Sequence, residues 1–407
     1  MAMTPRAFRD DASAGSRPAL ARPSVVLLAP PLLPGLQAAP MLVPSPPQLA
    51  ASSWILMDAR TGTVLVEHEA DQRLPPASLT KMMTDYIVAT EVEEGRIGLD
   101  DQVPISERAW RMGGSKMFVK VGSEVRLEDL IRGIVIQSGN DASIAVAEYV
   151  AGSEPAFAEM MNQQARALGM DNTHFVNATG MPAEDHYSTA RDLAILARAL
   201  IRDLPEHYEY YAEREFTYGT DFQTGEPITQ RNRNELLWLD QTVDGLKTGH
   251  TEEAGYCLVA SARRDGMRLI SVVLGTDGTR ARARESQTLL RYGFRFFETQ
   301  QIYAGGEELE RRRVWKGRAD DVAVGLPEDL VLTLARGRYQ DLEASLTLES
   351  WITAPLARGD RLGSIHVELD GETLHEGPLV ALEDVEQAGF FLRLWHGLQM
   401  FFTRLLA

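Results

Sequence analysis

Three short polar motifs, Ser78-Leu-Thr-Lys81, Ser138-Gly-Asn140 and Lys247-Thr-Gly249, stand in this order along 407 residues. They constrain the fold more than any other feature, because each sits where a periodic apolar segment starts or stops. Ser78 opens a segment, 78–94, with few breakers; Pro75 and Pro76 lie just before it and Gly95 just after, which is helix punctuation at both ends. Lys81 then shares a helical face with Ser78, one turn on. Ser138 and Asn140 fall between the apolar stretch 130–136 and a helix beginning near Asp141. Lys247 and Thr248 open a strand-like segment after Val243-Asp-Gly-Leu246. A fold that used all three would bring a helix start, a turn and a strand start together.

The residue types suit one kind of chemistry. A serine hydroxyl at a helix start lies near unsatisfied backbone N–H groups that favour developing negative charge. A buried lysine one turn away, beside other cations, loses its proton near neutral pH and serves as the base of a Ser/Lys pair. Ser138 and Asn140 project short polar groups from a turn. Lys247 and Thr248 offer an ammonium and a hydroxyl to a carboxylate, and the Lys247 charge favours a low pKa at Lys81. Taken singly, each motif has an ordinary reading: helix caps at Ser78 and in the 138–140 turn, a solvated Lys81, an exposed strand start at Lys247. S-x-x-K and S-x-N each arise by chance roughly once in such a chain, K-T-G in about one chain in ten. Their order and joint context carry the signal.

Around these motifs the chain reads as mixed. A hairpin is expected across Trp54 to Glu67 with its turn at Ala59-Arg-Thr-Gly62. Helices are expected at 127–136, 142–150, 154–168, 189–200 and 280–297. Strands are expected on both sides of the turn Arg264-Asp-Gly266. After about Thr299 short alternating runs and the pair Asp370-Gly371 mark a separate β-rich region. Lys+Arg 41 against Asp+Glu 58 gives a net charge of -17, which repels phosphate backbones and excludes nucleic acid as a natural partner. The single cysteine, Cys257, allows no intrachain disulfide and sits in an apolar stretch as a small buried residue. No spacing such as H-E-x-x-H suggests a metal, so a metal-dependent peptidase is disfavoured.

Both ends read as targeting segments. The first fifty residues are Pro-, Ala- and Ser-rich, with Arg17 and Arg22 ahead of an apolar run from Val25 to Leu36, the order of an export signal. At the other end Phe391, Leu394, Trp395, Leu398, Phe402 and Leu405 recur every three or four residues, while Arg393, His396 and Arg404 gather opposite. This is an amphipathic helix suited to a lipid interface, too charged to span a bilayer.

The stretches ILMDARTGTVLVE, PASLTKMMTDYIVA, GIVIQSGNDASIAVAEYVAGSE, HYSTARDLA, VDGLKTGHTEEAGYCLVASA and GFFLRLW together resemble the low-molecular-mass penicillin-binding proteins that are serine D-alanyl-D-alanine carboxypeptidases. The resemblance runs from about 52 to 407. It implies an α/β (α+β) penicillin-binding, β-lactamase-like transpeptidase fold, followed by a small all-β domain and the amphipathic helix. The expected organisation is a leader at 1–50, a catalytic domain at 51–298, a β domain at 299–383 and a membrane-anchoring helix at 384–407. By resemblance, Ser78 is the acylated nucleophile, Lys81 its base and Ser138 a proton relay to the leaving D-alanine. Asn140 holds substrate and Lys81, Lys247 and Thr248 receive the terminal carboxylate, and Gly249 and His250 complete the substrate-binding set. The N–H groups of Ser78 and His250 form the oxyanion hole, and His186 is structural. No cofactor or metal is implied. The implied partners are the peptidoglycan pentapeptide stem, β-lactams as covalent inhibitors, and the periplasmic face of the bacterial inner membrane. Rival readings are a D,D-endopeptidase, a weak serine β-lactamase, for which no Glu-x-x-Leu-Asn segment stands between Asn140 and Lys247, and a non-catalytic envelope scaffold.

Overall fold

The computed structural model describes residues 24–28, 42–220 and 224–406. The leader read as an export signal lies outside the described residues apart from a short strand, Ser24–Leu28, and the stretch from 42 on. The chain forms two compact units, one built chiefly from 38–300 and the other from 301–330 and 338–407.

In the first unit, five strands form an antiparallel sheet: β1 (Ser53–Asp58), β2 (Val64–His68), β3 (Val243–Thr251), β4 (Gly255–Arg264) and β5 (Met267–Thr276), in the order β2-β1-β5-β4-β3. Strand runs such as WILM and CLVA are apolar at successive positions because both sheet faces are buried. Ile55, Met57, Cys257 and Val259 face a core shared with the helices α1 (Lys81–Glu93), α2 (Asn140–Ala151), α3 (Glu154–Leu168) and α4 (Ala190–Asp203). Trp54, Leu56, Leu258 and Ala260 face Leu289, Leu290 and Phe294 of α5 (Thr279–Phe296). Packing extends ahead of the boundary read at residue 51, since Val43 and Leu49 lie on this second cluster and Tyr292 donates to the Pro44 carbonyl.

The expected elements are largely present. α3 covers the anticipated 154–168, and Thr189 caps α4 by accepting from the Asp192 N–H. Asp265 and Gly266 join β4 to β5 with φ of 48° and 82°, the left-handed pair of a two-residue hairpin. The stretch 127–136 departs from expectation: an α-helix, Leu127–Arg132, gives way to a π turn, Gly133–Gln137. Because β3 is an edge strand, one of its sides is open to form a cleft wall.

The second unit contains an all-β sheet and α6 (Phe390–Leu406). Asp370 and Gly371, at φ 55° and 81°, turn the hairpin between Arg361–Leu369 and Glu372–Ala381 as read. On α6 the apolar stripe is outward, with Phe391 84% and Leu405 71% exposed. His396, read opposite the apolar stripe with Arg393 and Arg404, is buried. Its Nδ1 accepts from the Lys316 backbone N–H at 2.8 Å, and its ring meets the Trp315 ring edge-on at 5.8 Å. The less apolar side of α6 therefore docks on the β sheet and leaves the aromatic side free. Among the described residues no helix is long and apolar enough to cross a membrane.

Candidate active site

Ser78 and Lys81 sit at the junction of a 3-10 turn, Ala77–Thr80, and α1. Ala77 takes the left-handed region at φ 48°, and Gly180 packs so tightly on it that a Cβ there would stand 1.8 Å from the Ala77 carbonyl oxygen. Only glycine fits that contact. Lys81 is fully buried, and its Nζ lies 3.2 Å from Ser78 Oγ, 2.7 Å from Asn140 Oδ1 and 2.5 Å from the Thr179 carbonyl oxygen. Burial pushes its pKa down to about 7, helped by the Arg233 charge and opposed by Asp141. A neutral amine has two N–H groups and one lone pair. The two acceptors that cannot donate, Asn140 Oδ1 and Thr179 O, take the N–H groups, so the lone pair is left facing the Ser78 hydroxyl.

Ser138 follows the π turn and is itself left-handed at φ 67°, a strained conformation typical of functional positions. It closes that turn as its C-cap, and the N-cap of the helix that follows is Gly139. Asn140 begins α2, and its Nδ2 donates to the Gly113 carbonyl at 2.7 Å, which fixes the amide so that Oδ1 faces Lys81. Its backbone N–H donates to the Ser115 carbonyl at 2.7 Å. Asp141 accepts from the N–H groups of Met117, Phe118 and Val119 and so pins the loop that carries Ser115.

Lys247, expected at the head of a strand, is the fifth of nine residues in β3 and is 2% exposed. The strand begins earlier because Val243 already pairs with Ala262 of β4. The Lys247 ammonium donates to Ser138 Oγ at 2.9 Å and to the Thr248 carbonyl at 3.1 Å. Burial, then the charges of Lys81, Arg233 and Arg282, hold its pKa well below the usual lysine range.

A cleft of about 230 Å³ is lined by Ser78, Ser115, Ser138, Thr248, Gly249 and His250 together with Arg233, Tyr256, Thr279 and Arg282. The eight site residues expected from the sequence thus converge, with Lys81, Asn140 and Lys247 buried behind the wall. Arg233, Tyr256 and Arg282 were not singled out from the sequence. Arg282 is buried on α5 and donates from Nη1 to the Gly249 carbonyl at 3.1 Å, while Tyr256 stacks on His250 with ring centroids 3.9 Å apart. In the run Thr279-Arg-Ala-Arg-Ala-Arg284 nothing local distinguishes Arg282 from its neighbours; only the placement of α5 beside β3 selects it. His186 holds the Ser78 turn from below: Nδ1 accepts from the Val176 N–H at 2.9 Å and Nε2 lies 2.8 Å from Thr80 Oγ1, with burial lowering its pKa to about 4. Burial raises the Cys257 thiol to about 11, that of an inert core residue.

A family model described as D-alanyl-D-alanine carboxypeptidase matches residues 41–278, and one described as penicillin-binding protein 5, C-terminal domain, matches 297–387. The chain is 46% identical over 364 residues to D-alanyl-D-alanine carboxypeptidase DacC of Escherichia coli (strain K12), covering 88% of this chain and 89% of that one. Among solved structures, penicillin-binding protein 5 from Haemophilus influenzae superposes with a TM-score of 0.77 at 41% identity, covering 84% of this chain and 99% of that one. Penicillin-binding protein D2 from Listeria monocytogenes in its ampicillin-bound form gives a TM-score of 0.55 at 31% identity, covering 60% and 98%.

Proposed function

The chain belongs to the D-alanyl-D-alanine carboxypeptidase family, and from that premise we propose how its residues divide the reaction. It is a serine-type D-alanyl-D-alanine carboxypeptidase. The observation that carries the residue assignment is the buried Lys81 amine, 3.2 Å from Ser78 Oγ, with its two other contacts both to oxygens that only accept. Ser78 Oγ attacks the carbonyl carbon of the penultimate D-alanine while Lys81 takes the hydroxyl proton. The backbone N–H groups of Ser78 and His250 receive the oxyanion. Ser138, held by Lys247, passes a proton to the departing D-alanine nitrogen, and water then hydrolyses the Ser78 ester. The substrate is the peptidoglycan pentapeptide stem, and a β-lactam acylates the same hydroxyl. Mass spectrometry after incubation with penicillin, and separately with a D-Ala-D-Ala peptide, tests this reading: the adduct is expected on Ser78 and free D-alanine in solution. An adduct on another serine overturns it.

The terminal carboxylate meets the Thr248 hydroxyl and the guanidinium groups of Arg233 and Arg282, which line the cleft, while Lys247 acts through Ser138. Lys247→Gln is therefore expected to slow acylation by roughly a hundredfold, for a carboxylate substrate and its amidated analogue alike. Arg282→Gln is expected to slow the carboxylate substrate selectively, by roughly tenfold. Steady-state kinetics on the matched pair of peptides checks both, and a carboxylate-selective loss in Lys247→Gln would return the carboxylate to that residue.

In this reading the catalytic domain expected at 51–298 also takes in the segment from Val43 that packs on it, the β domain follows from 299, and the anchoring helix within 384–407 is Phe390–Leu406. The β domain carries α6 and presents its outward stripe to the periplasmic face of the inner membrane, where the aromatic side enters the lipid interface. This rests on the exposure of Phe391, Leu394, Trp395, Leu398, Phe402 and Leu405 with His396 turned inward. Deleting 386–407 is expected to abolish flotation with anionic liposomes and leave peptide hydrolysis within about twofold of the full-length enzyme. Equal flotation of both forms, or unfolding of the truncated one, overturns anchoring.

A further inference from the structure

Behind the cleft, a second polar cluster ties the helix that bears Lys81 to the strand that bears Lys247. Asp85 lies one turn beyond Lys81 on α1 and is fully buried. Its Oδ2 accepts from the Tyr211 hydroxyl at 2.7 Å, and its Oδ1 lies 2.9 Å from His207 Nε2, which donates because a carboxylate only accepts. Burial and the Asp85 charge hold the Tyr211 phenol well above its usual range, so it keeps the proton it donates. Tyr211 stacks on Tyr208, ring centroids 5.6 Å apart. The two tyrosines form the bed on which β3 lies. A Cβ built on Gly245 would stand 2.4 Å from the Tyr208 hydroxyl oxygen and 3.4 Å from Tyr211 Cβ.

The period of two along β3 gives this contact its reach. Gly245, Lys247 and Gly249 share one face. Gly245 rests on Tyr208 and Tyr211, Lys247 reaches Ser138, and Gly249 lies against Pro76 and Ala77 of the Ser78 turn. A closed path runs from Lys81 through Asp85, Tyr211 and Gly245 to Lys247. At that end, the Asp85 to Tyr211 hydrogen bond is one of the contacts between the Lys81 helix and the bed of the Lys247 strand. Further anchors keep the strand from sliding: Tyr208 donates to Asp244 at 3.0 Å, and Asn234 donates to the Gly245 carbonyl at 2.9 Å.

We propose that Asp85 is a positioning residue of acyl transfer, fixing the Lys81 helix against the Lys247 strand through Tyr211 and His207. It touches neither substrate nor the reacting atoms. The proposal rests on the assignment of Ser78, Lys81 and Lys247 above, and it assigns to a buried cluster a kinetic role beyond holding the core together.

The test compares wild type, Asp85→Asn, Tyr211→Phe and the double variant. Penicillin acylation is measured as a rate per titratable site, so that unfolded molecules drop out, and kcat and KM are measured on a D-Ala-D-Ala peptide. Each single variant is expected to lower the acylation rate per site and kcat by roughly tenfold, as for a misplaced catalytic pair, with KM within about twofold. The double variant is expected to be no slower than the slower single, since both act on the same Asp85–Tyr211 contact, one by removing the charge of the acceptor and the other by removing the donor. Wild-type rates per site in Asp85→Asn, even with a lowered Tm, reduce the cluster to core stabilisation and overturn the proposal. So does a multiplicative loss in the double variant. A wild-type adduct mapped away from Ser78 marks instead a failure of the underlying assignment.

Discussion

Ser78→Ala is expected to eliminate both covalent penicillin labelling and D-alanine release, with a loss in kcat of about 10⁴-fold or more, the scale seen when an acyl-transfer nucleophile is removed. The size follows from the absence of a substitute. Ser115 and Ser138 also line the cleft, but Lys247 donates to Ser138 Oγ, so that hydroxyl faces a donor, and Lys81 lies against Ser78. The Lys81 lone pair, with both N–H groups of the neutral amine taken by Asn140 Oδ1 and the Thr179 carbonyl, is the acceptor placed for the Ser78 proton. The change removes one half-buried oxygen from a short 3-10 turn and with it the Lys81 contact to Ser78 Oγ, but leaves the bonds of Lys81 to Asn140 and Thr179 and the contact of Thr80 to His186 intact. Unchanged thermal unfolding should therefore accompany the lost activity. Retention of a penicilloyl adduct, mapped by mass spectrometry to Ser138 or Ser115, is the result that removes Ser78 from its role.

How much of this was legible in the sequence depends on whether the signal was local. α3 and the Asp-Gly hairpins at 265–266 and 370–371 were readable because caps, periodicity and left-handed turn residues act over a few positions. The convergence of the three motifs was readable as a chemical requirement, and the seven site residues named from them, with His250 added by the family resemblance, do surround one cleft or its wall. What escaped is tertiary. The Thr179 carbonyl that holds Lys81 belongs to no motif. Arg282 is one of several alternating arginines until α5 is laid beside β3. The π turn before Ser138 looks like ordinary helix in composition, and the docking of the polar side of α6 depends on a histidine that finds a backbone donor at Lys316. Asp85, one turn past Lys81, belongs to none of the motifs, and its partners come from the distant 207–211 segment.

The second large effect concerns Lys81 and separates its catalytic task from its cost to the fold. Lys81→Met is expected to lower acylation by about 10³-fold, within the range for loss of a general base, and at the same time to stabilise the protein. The sign follows from linkage. Lys81 has an ordinary pKa of 10.5 and a folded value of about 7, so between those pH values the unfolded chain binds more protons than the folded one. The folded state is thus penalised most at and below pH 7, and the penalty fades as pH rises toward 10.5. Replacing the amine with a thioether of similar length removes a desolvated cation from a fully buried position, although Asn140 Oδ1 and the Thr179 carbonyl lose a donor. The Tm advantage of Lys81→Met should therefore be largest near pH 7 and shrink by pH 10. Wild-type acylation should run the other way, falling about tenfold per pH unit below 7 as the amine charges, because only the neutral form takes the Ser78 proton. Rapid-quench penicillin acylation across pH 5 to 9, with thermal unfolding of both proteins across pH 7 to 10, gives the two curves. A wild-type rate independent of pH below 7, or a Tm advantage that grows with pH, is incompatible with a neutral Lys81 as the base.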